Sequence, residues 1–370
     1  MSHIEEDARL MAAALSFSRR SLGLAAPNPS VGALVVKDGL IVGRGVTGQG
    51  GRPHGEVLAL EEAGELAKGA MLYVTLEPCS HHGKTPPCVD AIIAAGIARV
   101  VSAIGDPNPK VAGEGYRRLR EAGVEVVTGV CEEEARRLHL GHFLCVTAGR
   151  PMVTLKLAET ADGYAADVPG APRLVISGEL TYSFVHMQRA LYDAILIGSG
   201  TALADDPLLT VRLPGLEARK PLRVVLDTKL LLSPASWLAV TATEVPTLVV
   251  AGDGADGEAV KALEAKHVEV ATVPCDKAGH VDLNAALRLL AGRGITRVLS
   301  EGGPHLGAAL IAAGIADEVL ILTSQKSLGR EGLPALDAAA NARLADETHY
   351  RFAETRILGE DRLMRYERTL

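Results

Sequence analysis

Short apolar runs alternate with segments of helical period along almost the whole chain, and this alternation limits the fold more than any other feature. Runs of this length predict strands, and apolar residues spaced three and four apart predict helices between them. Residues 31–37 and 40–46 are two such runs joined by Asp38-Gly39, which predicts a β-hairpin. Strands that alternate with helices indicate an α/β layered fold whose sheet is largely parallel beyond the hairpin.

The first part of the chain contains a full set of such elements. The pattern predicts helices over 5–20, 55–66, 87–95, 115–121 and 132–143, and strands over 71–76, 99–104 and 124–128. A Thr-Ala-Gly-Arg-Pro turn at 147–151 then ends the helical pattern. Because 370 residues exceed one ordinary hydrophobic core, we expect two domains, 1–148 and 149–370.

The second part restarts the alternation after this turn. Strands are predicted over 153–158, 194–198, 223–227, 247–251, 268–273, 297–300 and 318–322. Helices are predicted over 179–191 and from Leu283 and His305 onward. Residues 351–369 alternate in the manner of two edge strands.

The composition excludes several classes of function. The net charge is −7 without a basic stripe, whereas nucleic-acid binders carry a basic excess that neutralises phosphates. We see no charged-then-apolar leader and no apolar run of the ~18 residues that a membrane span needs, so we expect a cytoplasmic protein with no membrane partner. Five cysteines without framework spacing argue against disulfides. Cys131, Cys145 and Cys275 are expected to be small buried apolar residues, unlike Cys79 and Cys88.

Three residues have the types and order of a zinc site. Pro53-His54-Gly55-Glu56 is followed by Pro78-Cys79 and then by Cys88. One histidine and two cysteines suit tetrahedral zinc with a fourth position left for water. His-x-Glu followed by Pro-Cys is typical of zinc nucleobase deaminases, whose glutamate moves protons and does not bind the metal. We therefore predict His54, Cys79 and Cys88 as metal ligands and Glu56 as the catalytic acid and base.

The spacing of the two cysteines narrows the class. The usual deaminase signature has two residues between its cysteines, but here eight intervene, in the run Cys-Ser-His-His-Gly-Lys-Thr-Pro-Pro-Cys. This run, with Pro-Asn-Pro-Ser-Val-Gly at 27–32 and Asp-Pro-Asn-Pro at 106–109, resembles the deaminase domain of bifunctional riboflavin-biosynthesis enzymes. The resemblance covers essentially the whole chain. Gly55 is a departure, since the family commonly has alanine there, and we expect it only to loosen the helix start.

The resemblance implies a fold and a first reaction. The fold is α/β, with an N-terminal cytidine-deaminase-like α/β/α domain and a C-terminal dihydrofolate-reductase-like α/β domain. The substrate is 2,5-diamino-6-ribosylamino-4(3H)-pyrimidinone 5′-phosphate. Zinc makes hydroxide available for attack on the carbon that bears the exocyclic amine, and Glu56 carries protons to the ring nitrogen and the departing ammonia. Asn28, His81, His82 and Lys84 are either pocket or phosphate contacts or ordinary polar loop residues.

Two glycine-rich turns stand in the second part of the chain. Residues 195–200 run from a predicted strand into Gly-Ser-Gly, but Leu203 stands where a dinucleotide fingerprint has its third glycine. Residues 299–304, Leu-Ser-Glu-Gly-Gly-Pro, lead directly into an apolar helix, and a helix N-terminus with glycines attracts phosphate. Either turn alone is equally compatible with tight packing.

Residues 156–158, 193–198, 203–212 and 301–304 resemble the riboflavin-pathway reductase domain. The resemblance implies NADPH as the cofactor and hydride delivery to ribose C1′, which opens the sugar to a ribityl chain. The implied NADPH contacts are Ala158, Thr201, Asp205, Thr228, Gly303, Pro304, His305, Leu306, Gly307, Ala308 and Ala309. The implied substrate contacts are Arg189, Leu209, Arg212 and Glu301, with Asn28, Lys156 and Arg173 as further candidates. Arg189 and Arg212 suit the phosphate because guanidinium offers a bidentate fork. Lys156 and Asp205 are the candidates for the proton donor.

One stretch departs from the reductase pattern. The family typically has Ser-x-Trp before the helix entry at Ile176, where this chain has Arg173-Leu174-Val175. An aromatic wall on the nicotinamide side and a serine contact are therefore missing, and Arg173 is a candidate phosphate ligand instead.

Two other classes of function compete with this interpretation. The chain could be a zinc deaminase for a nucleoside, free base or RNA, with a second domain that serves assembly only. The long cysteine spacing and residues 203–212 argue against it, and the acidic balance argues against RNA. A non-catalytic binding protein would have no use for Glu56. The resemblance further suggests a homo-oligomer, either a dimer or a tetramer.

Overall fold

The structure, a computed structural model, describes residues 3–83, 85–109, 111–168, 171 and 174–369. The chain divides into an N-terminal unit, Met1–Pro151 with Ala291–Thr296, and a C-terminal unit, Met152–Leu290 with Arg297–Leu370. Among the residues described, no helix has the length and apolar character needed to cross a membrane.

The N-terminal unit alternates strands and helices as its sequence predicts. Its elements are α1 (His3–Ser18), β1 (Gly32–Lys37), β2 (Leu40–Val46), α2 (Gly55–Ala63), β3 (Met71–Val74), α3 (Cys88–Ala94), β4 (Arg99–Ser102), α4 (Glu114–Glu121), β5 (Glu125–Thr128) and α5 (Glu132–Ala148). The sheet order is β2-β1-β3-β4-β5. β1 pairs antiparallel with β2 and β3, whereas β3, β4 and β5 run parallel. The predicted hairpin and the parallel sheet beyond it are both confirmed.

Two glycines allow α2 to pack directly on this sheet. A Cβ atom on Gly45 would lie 2.0 Å from the Gly55 carbonyl oxygen, and one on Gly55 would lie 2.5 Å from the Val31 carbonyl oxygen. Neither position has room for a side chain, so strand and helix backbones touch there. Gly55 thus has a packing role, where sequence analysis expected only a looser helix start. This contact fixes the helix that begins directly after His54.

The C-terminal unit is built on a longer sheet. Its elements are β6 (Met152–Glu159), β7 (Tyr164–Ala166), α6 (Glu179–Ala190), β8 (Ala194–Gly198), α7 (Ser199–Asp205), β9 (Leu222–Leu226), α8 (Trp237–Val240), β10 (Thr247–Gly252), α9 (Gly257–Glu264), β11 (Glu269–Val273), α10 (Leu283–Gly292), β12 (Arg297–Ser300), α11 (Pro304–Ala312), β13 (Glu318–Thr323), β14 (Leu333–Pro334), α12 (Ala338–Ala345), β15 (Tyr350–Leu358) and β16 (Asp361–Arg368). The order of its nine-stranded sheet is β11-β10-β9-β8-β12-β6-β13-β16-β15, and β7 pairs with β14. The strands from β11 to β13 in this order run parallel.

The C-terminal hairpin ends the long sheet. β16 lies antiparallel between β13 and β15, so β15 alone forms the edge. The expectation of two edge strands over 351–369 is therefore wrong for the second, because its hydrogen-bonding groups are used on both sides.

The residues of the second predicted site lie near the carboxyl ends of four neighbouring strands, β9, β8, β12 and β6. Both glycine-rich turns leave this edge: Gly198 precedes α7, and Gly303 precedes α11. Ligands of open α/β sheets bind outside the carboxyl ends of the strands. The topology thus brings together residues that stand far apart in the sequence.

Candidate zinc centre and reductase site

The three predicted metal ligands meet in the N-terminal unit. His54 lies in extended conformation just before α2, and Cys88 is the first residue of α3. The His54 Nδ1 atom lies 3.1 Å from the Cys88 sulfur and 3.6 Å from the Cys79 sulfur. All three ligand atoms lie within 4.8 Å of one another.

These residues fit zinc. Tetrahedral zinc with Zn–S bonds of about 2.3 Å and a Zn–N bond of about 2.0 Å holds its ligand atoms about 3.5 to 3.8 Å apart, close to the spacing found here. Hydrogen bonding by the Cys88 thiol, helped by His54 and opposed by burial, lowers the pKa of Cys79 to about 4. The same pairing, with burial, raises the pKa of Cys88. A bound metal would favour the ionised form of both cysteines, because thiolates are the form that binds metal.

Glu56 lies next to this cluster without belonging to it. Its side chain is on the first turn of α2 and only 3% of the residue is exposed. Among the described residues, the Oε2 atom has no hydrogen-bond partner. Burial raises the pKa of Glu56, and the Cys79 charge raises it further. A buried carboxyl with an open acceptor is suited to exchange protons with a reactant.

The second ring nitrogen of His54 contacts two residues. Its Nε2 atom lies 3.0 Å from Arg52 Nη1 and 3.3 Å from Asn28 Nδ2. Asn28, a predicted substrate contact, thus lies against a predicted metal ligand. Arg52 was not predicted from the sequence, although its position two residues before His54 was a signal.

The loop between the cysteines contains further candidates. His81 and His82 are exposed there. Lys84 lies outside the described residues.

In the C-terminal unit, Arg189 and Glu301 form a buried ion pair. Arg189 Nε donates to Glu301 Oε1 at 2.5 Å and Nη2 donates to Oε2 at 3.0 Å. Arg189 Nη1 also donates to the Thr210 carbonyl oxygen at 2.9 Å. Lys156 Nζ lies 3.7 Å from Glu301 Oε2. Burial opposes ionisation of Glu301, but Arg189 and Lys156 outweigh it and lower the pKa of Glu301 to about 2. Arg189 therefore has few donors left for a phosphate.

Arg212 is the more accessible of the two predicted phosphate ligands. Its Nε donates to the Tyr182 hydroxyl at 2.9 Å, and its guanidinium lies 5.7 Å from the centre of the Tyr182 ring. The Tyr182 ring packs on His186 at 4.2 Å between centroids. The His186 Nδ1 atom accepts from the Arg212 backbone N–H at 2.9 Å. Burial, with the charges of Arg189 and Arg212, lowers the pKa of His186 to about 4, so His186 is neutral near pH 7.

Tyr182 and His186 were not predicted from the sequence. Both lie on α6 at helical spacing from Arg189, and that spacing was the available signal.

Several of the predicted NADPH contacts lie along the carboxyl edge of the long sheet. The Gly303 N–H donates to Thr201 Oγ1 at 2.9 Å and joins the two glycine-rich turns. The others include Ala158 near the end of β6 and Thr228 two residues beyond β9. Within α11, Gly307 N–H already donates to the Gly303 carbonyl oxygen, so Ala308 and Ala309 lie beyond the free first turn. The His305 and Leu306 N–H groups of that first turn are the ones suited to a phosphate.

Three predicted contacts take less direct places. Leu209 is 3% exposed and packs in the core, so only its backbone is suited to touch a ligand. Asp205 is exposed at the C-terminal end of α7. Arg173 lies outside the described residues. Its role as a phosphate ligand in the Arg173-Leu174-Val175 stretch therefore stays a prediction.

These features are those of a bifunctional enzyme, with a hydrolytic zinc deaminase ahead of a dinucleotide-dependent reductase. Residues 4–104 match the family model for the cytidine and deoxycytidylate deaminase zinc-binding region. Residues 151–363 match the model of the RibD C-terminal domain.

Full-length relatives extend these matches. The riboflavin biosynthesis protein RibD of Aquifex aeolicus is 40% identical over 364 residues, which cover 98% of this chain and 99% of that protein. The Escherichia coli protein of the same name is 39% identical over 368 residues, covering 96% and 98%. The solved structure of Acinetobacter baumannii RibD matches with a TM-score of 0.85 at 31% identity, and covers 100% of both chains. That of a Thermotoga maritima diaminohydroxyphosphoribosylaminopyrimidine deaminase/5-amino-6-(5-phosphoribosylamino)uracil reductase matches at 0.84 and 35%, also over 100% of both.

The chain therefore belongs to the RibD family of riboflavin biosynthesis proteins. It is an enzyme of riboflavin biosynthesis with a zinc-dependent deaminase activity and an NADPH-dependent reductase activity. The family resemblance, the fold class and both cofactors expected from the sequence are confirmed.

Proposed function

We propose that the N-terminal unit deaminates 2,5-diamino-6-ribosylamino-4(3H)-pyrimidinone 5′-phosphate with His54, Cys79 and Cys88 as zinc ligands and Glu56 as acid and base. The observation that carries this proposal is the buried Oε2 atom of Glu56, which has no hydrogen-bond partner among the described residues and lies next to the three converging ligand atoms. Bound zinc supplies a water of lowered pKa as the nucleophile.

Glu56 transfers the protons of this reaction as its general base and general acid. It accepts the proton of the attacking water, because its ionised form is the acceptor. It donates this proton to the ring nitrogen, then accepts a second proton from the hydroxyl group that has added to the carbon. It passes that proton to the departing amine, which leaves as ammonia while Glu56 returns to the ionised state. Its raised pKa helps these transfers, since a carboxyl nearer neutrality is both a better base and an available acid.

The reductase proposal assigns the second step to the C-terminal unit. NADPH supplies the hydride that reduces ribose C1′ and opens the ring to a ribityl chain, giving 5-amino-6-ribitylaminouracil 5′-phosphate. Thr201 and the Gly303–Ala309 turn would hold the cofactor, with Ala158, Asp205 and Thr228. The ionised Glu301 accepts hydrogen bonds from sugar hydroxyls, and Arg212 binds the phosphate.

The roles of Arg189 and Lys156 follow from their contacts. Arg189 holds the Glu301 carboxylate in place through two hydrogen bonds. Lys156, at 3.7 Å from the same carboxylate, is the better placed of the two candidate proton donors, since Asp205 is exposed.

A direct assay tests the substrate. Ammonia release from the pyrimidine phosphate is compared with release from cytidine and guanine under the same conditions. We expect release from the pyrimidine phosphate alone. Faster release from cytidine or guanine would favour the alternative of a nucleoside or base deaminase.

The domain division is part of the proposal: residues 1–148 for the deaminase and 149–370 for the reductase. A fragment ending at Ala148 tests it and is expected to bind zinc and deaminate. That fragment lacks Ala291–Thr296, which group with the N-terminal unit. A folded, zinc-loaded fragment without activity would show that later residues complete the first site.

The resemblance also supports a homo-oligomer, and a cytoplasmic location stays the expectation stated from the sequence. Light scattering of the purified chain tests the assembly. A dimer or tetramer mass is the expected result, and a monomer at all concentrations would contradict it.

A further inference from the structure

One helix, α4, holds the segments that bear both cysteines, although it supplies no metal ligand. Glu77, two residues before Cys79, is only 4% exposed. Its Oε1 accepts from the Gly115 and Tyr116 N–H groups at 3.0 and 3.4 Å, and its Oε2 accepts from the Gly113 N–H at 3.0 Å. The carboxylate thus caps the start of α4, where backbone N–H groups have no helical partner.

The chain makes this contact close. A Cβ atom on Gly115 would lie 2.2 Å from the carbonyl oxygen of Pro78, the residue between Glu77 and Cys79. Only glycine admits that approach. The first turn of α4 therefore lies directly against the segment that presents Cys79.

The same helix reaches the second cysteine through Arg118. Its Nη1 donates to the Ser80 carbonyl oxygen at 2.9 Å, and its Nη2 pairs with Asp90 Oδ1 at 2.5 Å. Ser80 directly follows Cys79, and Asp90 lies two residues after Cys88 on α3. A single guanidinium thus ties together the two segments that carry the sulfur ligands.

We propose that Arg118 is a positioning residue of the zinc centre, and that it acts with Glu77 to fix the separation of the Cys79 and Cys88 sulfurs before metal binds. The two sulfurs stand on separate segments of the chain, so a scaffold outside the ligand set must hold these segments at zinc-binding distance before metal binds. Planar guanidinium can bond both segments at once, whereas the compact lysine ammonium cannot match that geometry. Residues that orient ligands in this way typically change metal affinity about 10- to 100-fold when they are lost.

The neighbouring Arg117 provides a matched control. It has the same side chain on the same helix but bonds Glu114 and Glu121 within α4. Both acceptors and Arg117 itself are largely exposed. Removal of Arg117 therefore disturbs α4 without touching either cysteine segment.

The test measures zinc release from the full-length, zinc-loaded chain to an excess of the chromogenic chelator 4-(2-pyridylazo)resorcinol. Arg118→Met should release zinc about 10- to 100-fold faster than wild type. Arg117→Met should match wild type, and Arg118→Lys should fall between. The free energy of unfolding of each zinc-free variant is measured as well. If Arg118 only stabilised the fold, its loss would lower this free energy, and zinc release would not change beyond what the loss of stability explains.

The proposal would be overturned if Arg118→Met released zinc at the wild-type rate. It would also be overturned if Arg118→Met and Arg117→Met accelerated zinc release equally. If Arg118→Met does not fold, Asp90→Asn and Arg118→Lys provide the same comparison.

The inference rests on the proposed zinc ligands, and the two failures are distinguishable. Zinc retained at full occupancy by Cys88→Ser would refute the ligand set. If Cys88→Ser loses its zinc but Arg118→Met releases zinc at the wild-type rate, only the positioning role is refuted.

Discussion

Arg189 and Glu301 meet through two parallel hydrogen bonds, and only 11% and 7% of their side chains are exposed. The two residues stand on α6 and directly after β12, so the pair joins two elements of the reductase unit. Loss of one partner from a buried pair leaves the other charge uncompensated. The pair is therefore expected to matter for stability as well as for the substrate.

Glu301→Gln should lower the free energy of unfolding of the C-terminal unit by about 3 to 5 kcal/mol. The chain has a single tryptophan, Trp237 on α8, so its fluorescence in a urea titration reports on this unit alone. Glu258→Gln is the control, because its pair with Lys261 is exposed on α9 of the same unit and should contribute far less to stability. Equal, small effects of both substitutions would contradict the structural role of the pair.

The same pair predicts a pH dependence. The folded pKa of Glu301 is lowered to about 2, below its ordinary value, so its ionised form stabilises the fold above that ordinary value. This stabilisation is lost as the pH falls toward 2. The stability difference between wild type and Glu301→Gln should therefore be largest near neutral pH and shrink below about pH 4. A difference that stays constant down to acid pH would contradict the ionised pair.

Arg212→Ala should raise the KM for the deaminated pyrimidine phosphate about 10- to 100-fold, because it removes a charge-assisted hydrogen bond to the phosphate. The KM for NADPH should change little. Tyr182→Phe should have a smaller effect, since it removes only the hydroxyl that holds Arg212 Nε. In the double variant Tyr182→Phe should add nothing, and Tyr164→Phe is the control. An equal rise in both KM values would refute the role of Arg212 in phosphate binding.

Local patterns predicted most of the longer elements of this chain, but they predicted none of α8, α9, α12, β7 and β14. The hairpin, the parallel strands and helices α2 to α5 follow from apolar period and turn chemistry, which are properties of neighbouring residues. The Gly198-Ser-Gly200 stretch was interpreted as a turn, yet Ser199–Asp205 forms the short helix α7. Seven residues give too little period to reveal a helix.

The site was predictable as far as motifs extend. His54, Glu56, Cys79 and Cys88 stand in a recognisable order, so their convergence was expected from the sequence. The contacts of Glu77 with Gly113 and Gly115 span more than 30 residues and depend on how α4 packs, which no local pattern encodes. The same holds for Tyr182 beneath Arg212, because its role depends on a segment that follows a different strand.

Cys88→Ser should lose most of the zinc and the ammonia release, because a hydroxyl is a poor replacement for a thiolate ligand. Metal analysis of the purified chain should give about one zinc per wild-type chain. Cys145→Ser is the matched control, since its sulfur lies outside the cluster and bonds the Ile295 carbonyl oxygen. Full zinc occupancy in Cys88→Ser would remove that residue from the site.

Glu56→Gln separates metal binding from proton transfer. The variant keeps the shape of the side chain and should keep its zinc, because Glu56 is not among the converging ligands. Ammonia release should fall about 10²- to 10⁴-fold, as expected for loss of a general acid and base. Near wild-type release would show that another group moves the protons.

The most direct test of the two-step account follows NADPH absorbance for wild type and Glu56→Gln, each supplied with the diaminopyrimidine phosphate or with its deaminated product. Wild type should oxidise NADPH with either substrate. With the diaminopyrimidine phosphate, ammonia release should precede NADPH oxidation. Glu56→Gln should oxidise NADPH at the wild-type rate with the deaminated product but almost none with the diaminopyrimidine phosphate. NADPH oxidation by Glu56→Gln with the diaminopyrimidine phosphate at the wild-type rate, or none by wild type with the deaminated product, would contradict a deaminase and a reductase acting in this order on one chain.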